Sequence, residues 1–316
     1  IQVKLVEVYR MNFDSLEYFT VLARERSFTR AAEALHITQQ SLSSHIAALE
    51  KELNCPLVVR HIPLELTYAG QTFLRYAEAM RRTRHAMQQE FFDISQNQKG
   101  ELRVGVSFTR GRAIMPELIV AFQKQYPQMA VTLTEAANDT LQTLLLNGDI
   151  DLEIAEFHKA PQEIALQDFY DEHIVLCFSD ALLERCGIDF DAEEPRMRKG
   201  DLTALQNCPF VMGRADDING RIGRALLSKG GVKPIVKAMS GNIETLLALC
   251  EEGVGACFSP ENLVHTALGR EQASKLHLLR FEQGGVYPIR FGYLKRSYQW
   301  SIVEAFIRMA RESLQE

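Results

Sequence analysis

One helical stretch constrains this chain more than any other feature. Between Gln39 and Leu53, Leu42, Ile46, Leu49 and Leu53 recur on a single side at helical spacing. The early part of the opposite side carries only short or amide groups, Gln39, Gln40, Ser43 and Ser44. Just upstream, Ala31, Ala32 and Leu35 give a shorter helix a thin apolar face, and His36-Ile37 interrupts the pattern. Thr38 is a natural N-cap for the longer helix after it. Small residues let two helices cross closely, and a polar first turn is what a recognition helix offers to base edges. An ordinary helical hairpin with a solvated face is the alternative, and the flanking residues bear on it.

Upstream, Leu16, Phe19, Leu22 and Ala23 outline an amphipathic helix able to cover the pair. Downstream, residues 57–66 alternate like a short β-hairpin wing, and Thr67-Tyr-Ala-Gly-Gln-Thr-Phe opens a long helix. From Met11 to about Leu74 the chain resembles the LysR-type transcriptional regulators. The resemblance rests on Ser27-Phe-Thr-Arg-Ala-Ala, Leu42-Ser, Leu49-Glu50 and Leu66-Thr67-Tyr-Ala-Gly70, in matching order and spacing. It implies a winged helix-turn-helix over residues 11–68 that binds double-stranded DNA. The DNA-facing candidates are Arg30, Thr38, Gln39, Gln40, Ser43, Ser44, Arg60 and His61. Two departures stand out. Gln40 occupies the place of the family's usual proline, giving up a pre-organised first turn for an amide able to pair with an adenine edge. Ser44 stands where the family often has arginine, so one contact of the family is absent.

The residues after Thr67 run to about Gln96 with no proline and, past Gly70, no glycine. Phe73, Met80, Met87 and Ile94 recur every seven residues, with Phe91 alongside, and Arg84 interrupts the repeat. Packing on its own domain is the bland account of this stripe. With no neighbouring segment in sequence to cover it, a partner helix from a second copy is the simpler one. The resemblance implies the same, a dimerisation helix over 69–96 in a homodimer or homotetramer that reads an interrupted palindrome.

Composition sets the remaining bounds. A chain of 316 residues, 46% of them hydrophobic, supports two or three domains with their own cores. No apolar run approaches membrane-spanning length and none reads as a signal peptide, so a cytoplasmic protein with no membrane partner is expected. Cysteines 55, 177, 186, 208, 250 and 257 form no CxxC pair and no metal-like cluster, so reduced, buried thiols are the default. The net charge of −6 is uneven: residues 11–99 are neutral and residues 100–316 carry −7. DNA binding by a neutral arm needs its cations clustered and falls steeply with salt. Residues 1–10 precede the first good helix and read as a tag scar or an N-terminal extension.

From Leu102 onward short apolar strands alternate with helices, which predicts a parallel, open α/β sheet. The overall fold class is therefore α/β: a winged helix-turn-helix, a linker helix, and an effector domain over 100–316. The resemblance implies that this domain has two subdomains like those of periplasmic-binding-protein folds. Subdomain I spans about 100–166 and 278–316, and subdomain II about 167–277. Ligands in such sheets sit at the carboxyl ends of strands. Ser107, Phe108, Thr109 and Arg110 fall at that edge, and the cleft between subdomains would add Gly213, Arg214, Asn242 and Phe258. Hydroxyls, backbone N–H groups and guanidinium together suit a small carboxylate or another anion. Asp180–Leu202, long and charged, reads as a solvated surface excursion.

Enzyme patterns are missing. Gly105-Val-Ser107-Phe-Thr109 lacks the last glycine of a nucleophile elbow, Gly253-Val-Gly-Ala lacks the third glycine of a dinucleotide loop, and there is no HExxH or P-loop. No cofactor or metal is expected. A redox-sensing regulator is the nearer rival because of the six cysteines, although Arg214–Lys229, where a disulfide switch would sit in the resembling family, contains none. The reading is a DNA-binding regulator whose state populations shift with a small-molecule effector.

Overall fold

The computed structural model describes residues 12–61, 63–95, 99–215 and 217–313, and the expectation for residues 1–10 lies outside them. The chain divides into two compact units, the first essentially residues up to 97 and the second most of 98–316.

In the first unit, α1 (Phe13–Glu25), α2 (Phe28–Ala34) and α3 (Gln39–Leu53) precede a small hairpin and the long α4 (Tyr68–Ile94). The hairpin pairs β1 (Val58–Val59) with β2 (Glu65–Leu66), Val58 opposite Leu66. Each helix starts on a side-chain cap: Asn12, Ser27, Thr38 and Thr67 each accept a backbone N–H three residues on. The corner between α2 and α3 closes with a Schellman pattern, His36 N–H to Glu33 O and Ile37 N–H to Ala32 O, His36 itself being left-handed at φ 54°. Leu16, Phe19, Leu22, Leu42, Ile46, Leu49, Leu57 and Phe73 close one core. Gly70 is required where α4 passes the wing, since a Cβ there would lie 2.0 Å from the Leu57 carbonyl oxygen.

Phe73 corrects one expectation. It is 9% exposed and meets Phe19 edge to face at 5.0 Å, so it belongs to this core and not to an exposed seam. The first turns of α4 are claimed by α1, and the heptad stripe becomes available only beyond Ala77, itself fully buried.

The second unit begins with β3 (Gly100–Val106), α5 (Phe108–Ala113), α6 (Met115–Gln125), β4 (Met129–Glu135), α7 (Asn138–Asn147) and β5 (Leu152–Ala155). There follow β6 (Ile164–Ser179), α8 (Asp180–Cys186), α9 (Phe190–Arg198), β7 (Pro209–Met212), α10 (Ile218–Lys229), β8 (Ile235–Met239) and α11 (Ile243–Glu251). The chain ends through β9 (Cys257–Pro260), α12 (Glu261–Ala273), β10 (Leu276–Arg280), β11 (Val286–Leu294) and α13 (Ser301–Ser313). β3 lies parallel between β4 and β5, the open α/β arrangement the alternation predicts. β11 then pairs antiparallel with β5 and with the first part of β6. The last part of β6 pairs with β9 and β10, while β7 and β8 run parallel beside them. Two lobes are thus joined through β6 and through the segment between β10 and β11.

Two expectations change here. The strand expected over His173–Ser179 begins at Ile164, because the half-buried residues ahead of it pair with β11. Asp180–Leu202 is largely helical, and it buries Leu182, Leu183, Met197 and Leu202 beneath its charged surface.

Candidate nucleic-acid interface and effector site

In the first unit, α3 separates its two faces as the pattern requires. Leu42, Ile46 and Leu49 are buried, whereas Gln39, Gln40 and Ser44 are exposed and Ser43 is half-buried. Thr38 spends its side-chain oxygen as an acceptor for the Ser41 N–H, 3.1 Å away, so its first role is to start the helix. Gln39 Oε1 lies 3.5 Å from the Thr29 hydroxyl, which donates to it.

Several basic groups of this unit are engaged with carboxylates. Arg24 Nε donates to Glu25 at 3.0 Å, and Arg30 reaches both the Glu25 side chain, at 4.0 Å, and its carbonyl oxygen. Arg60 Nη2 donates to Glu50 Oε2 at 3.1 Å, with its guanidinium 5.7 Å from the Phe28 ring centroid. His61 lies 3.6 Å from Glu65. Glu50 also takes the Leu57 N–H at 2.8 Å and the Val58 N–H at 3.2 Å on its other oxygen. Nothing in periodicity marks Glu50, because its partners lie across the turn into the wing.

On α4 beyond the shared core, Met80, Met87, Phe91 and Ile94 are 43%, 52%, 62% and 66% exposed. That is a row of large apolar side chains in water on one helix.

In the second unit, Ser107 caps α5, with its Oγ accepting from the Arg110 N–H at 3.5 Å and from Arg110 Nη1 at 3.1 Å. Phe108 is exposed and Thr109 half-buried. Arg112 Nη1 donates to Glu244 at 2.9 Å, which brings the α5 end close to the start of α11. Asn242 caps α11, its Oδ1 accepting from the Glu244 N–H at 2.8 Å and the Thr245 N–H at 3.4 Å. Arg214 is exposed beside Gly241, and Gly213 is buried.

Two further members of the predicted effector set are buried. Phe258 is buried against Gly223 and Phe281, because the missing Cβ of Gly223 leaves room for its ring. Arg110 is 3% exposed, and its Nη2 donates to Glu172 at 3.1 Å. Tyr170 donates to the same carboxylate at 2.9 Å, as does Tyr287. Burial opposes the Arg110 charge, yet Glu172, with Tyr287 and Tyr170 beside it, raises the guanidinium above its ordinary pKa. The principal cation of the anion expectation is therefore already neutralised. Glu153, 1% exposed on β5, has an Oε2 with no hydrogen-bond partner, and burial pushes its carboxyl up to about 8. Sequence pattern singled out neither Glu172, set between Asp171 and His173, nor Glu153, set in a short apolar strand, since each meets its neighbours only through tertiary packing.

The six thiols are free, and burial, with Cys186 beside it, pushes the Cys208 thiol up to about 12, away from the reactive thiolate. Among the described residues no cluster is arranged to hold a metal ion, and no helix is long and apolar enough to cross a membrane.

Residues 13–71 match the family described as bacterial regulatory helix-turn-helix protein, lysR family, and residues 95–315 match the LysR substrate binding domain. The chain belongs to the LysR family. It is a DNA-binding transcriptional regulator with a substrate-binding domain, not an enzyme. Among LysR-type relatives, it is 28% identical to the uncharacterized HTH-type transcriptional regulator YcgK of Bacillus subtilis (strain 168), over 97% of this chain and 96% of YcgK. It is also 28% identical to the HTH-type transcriptional regulator ClcR of Pseudomonas putida, over 80% of this chain and 84% of ClcR. Full-length CbnR complexed with its target DNA shares the LysR fold at a TM-score of 0.61, with 23% identity, 96% of this chain and 100% of CbnR. A full-length point variant of OxyR from Pseudomonas aeruginosa shares it at 0.65, with 20% identity, 96% of this chain and 98% of OxyR.

Proposed function

We propose that this regulator reads double-stranded DNA with Gln39, Gln40, Ser43 and Ser44, while Arg30 and Thr38 frame the contact and Arg60 and His61 stay with Glu50 and Glu65 on the wing. The observation that carries this reading is the division of α3, where apolar residues are buried and amides and hydroxyls face out from its first turns. Short polar groups at the start of a recognition helix reach base edges, and Gln can pair with adenine through two hydrogen bonds. CbnR, which has the same fold, was solved on its target DNA. A second copy covers Met80, Met87, Phe91 and Ile94, so the target is an interrupted palindrome read by a homo-oligomer.

The effector is a small molecule held between the lobes of the second unit by Ser107, Thr109, Arg214 and Asn242. Phe108 and Gly213 border it. Arg214 is an exposed guanidinium beside Gly241, and a guanidinium suits a carboxylate. The effector acts by favouring one arrangement of the lobes, by no more than its differential affinity for the two.

Selection from a random duplex pool tests the first part, with a paired, spaced site as the expected product. Enrichment of a single unpaired site would remove the palindrome. A thermal-shift screen of carboxylates against their amides tests the second, with stabilisation by a carboxylate expected and lost on Ser107→Ala. Stabilisation by the amide alone would overturn the carboxylate assignment.

A further inference from the structure

The geometry points to Glu50 as a specificity-determining residue that withholds the Arg60 charge from DNA phosphates and so suppresses binding to arbitrary sequence. This inference rests on the DNA-reading role of the first unit and adds a residue outside the recognition face.

Glu50 is on the second half of α3, and its side chain is mostly covered. Its Oε1 is fixed by the N–H groups of Leu57 and Val58 at 2.8 and 3.2 Å, which are main-chain donors that cannot swing away. The other oxygen is thereby aimed outward, 3.1 Å from Arg60 Nη2. The same guanidinium carbon stands over the Phe28 ring, 5.7 Å from its centroid. Arg60 keeps about half of its side chain in water (49%), so without Glu50 it would be a phosphate-seeking cation on the wing.

Phosphate binding by a cation gains free energy through release of counterions, and that release scales with the positive charge delivered to the backbone. A guanidinium already neutralised by a fixed carboxylate delivers a dipole in place of a charge. The same arrangement recurs in this unit, with Glu25 against Arg24 and Arg30 and with Glu65 near His61. Sequence-independent attraction is thereby kept low, while the amides of α3, which recognise bases without net charge, are untouched. Glu50 is the decisive member of the set, because three donors of the wing hold it in one orientation.

The test uses the full chain and a fluorescently labelled duplex of arbitrary sequence, with anisotropy measured across a salt series. Glu50→Gln keeps an oxygen for the wing N–H groups and removes the negative charge. It should bind the arbitrary duplex several-fold more tightly at low salt and steepen the log–log salt slope by about 0.9, one phosphate contact. Adding Arg60→Gln to it should return both to wild-type values. Arg60→Gln alone should leave the wild-type slope unchanged, and this variant leaves the Glu50 clamp on the wing backbone in place. An unchanged slope in Glu50→Gln, a gain that survives the double change, or loss of a full contact in Arg60→Gln alone would each overturn the inference. Failure of the wild-type chain to enrich any site from a random duplex pool would instead remove the DNA-reading role. Far-ultraviolet circular dichroism checks that each variant is folded, and should Glu50→Gln not fold, the Arg60→Gln result decides alone.

Discussion

The Arg110 guanidinium and the Glu172 carboxylate, 62 residues apart in sequence, meet at 3.1 Å where both side chains are closed to solvent. Tyr170 and Tyr287 complete the site by donating to the same carboxylate. Removing one partner of a buried pair strands the other charge, which costs about 3–5 kcal/mol. Glu172→Ala should therefore lower the stability of the second unit by that amount in urea unfolding. A loss below about 1 kcal/mol would show that Arg110 finds water or another acceptor.

Glu153 makes stability depend on pH in an unusual direction. Burial raises its folded pKa from the ordinary 4.5 to about 8, so the folded chain holds a proton that the unfolded chain has already released. Stability should fall as pH climbs from 4.5 to about 8 and level off above that. Glu153→Gln should flatten this segment and stabilise the protein near pH 8 by a few kcal/mol, at about 1.4 kcal/mol per pKa unit. Identical pH profiles for the two chains would contradict it.

Gln40 is exposed in the first turn of α3. Gln40→Ala should cost about 1–3 kcal/mol on the selected site and almost nothing on arbitrary DNA. Equal losses on both duplexes would show that Gln40 does not read sequence.

Along α4 the same heptad predicts two different outcomes. Met80→Asp with Met87→Asp should split the oligomer in light scattering while the first unit keeps its melting temperature. Phe73→Ala should do the reverse, costing about 3–5 kcal/mol of stability through the cavity left against Phe19. An unchanged mass for the Asp double variant at micromolar concentration would take these methionines out of the contact.

What could be read beforehand was local. The Thr38 cap, the helix opening at Thr67, the α3 periodicity and the β3 to β5 alternation depend on residues within a turn or two of one another. What could not be read was held by distant partners. Phe73 keeps the seven-residue spacing but is taken by Phe19, and Arg110 sits at a strand edge but is taken by Glu172. The first part of β6 alternates too weakly to read as a strand, since its residues are half-exposed on both faces and only β11 defines it. In α9, Pro195 and a crowd of charges disguise a helix anchored by Met197.

β6 also governs how the two lobes can move. Residues 164–179 contain neither glycine nor proline, and pairing passes from β11, which reaches His173, to β9 and β10, which start at Ile174 and Val175. Rotation of one lobe against the other therefore meets no slack at this crossing and must be taken up as torsion along a hydrogen-bonded ribbon. Such an element behaves as a stiff spring, whose restoring force grows with angle, and Glu172 lies at its midpoint of transfer. Amide exchange at His173 and Ile174 would then report the twist directly, without any label on the effector.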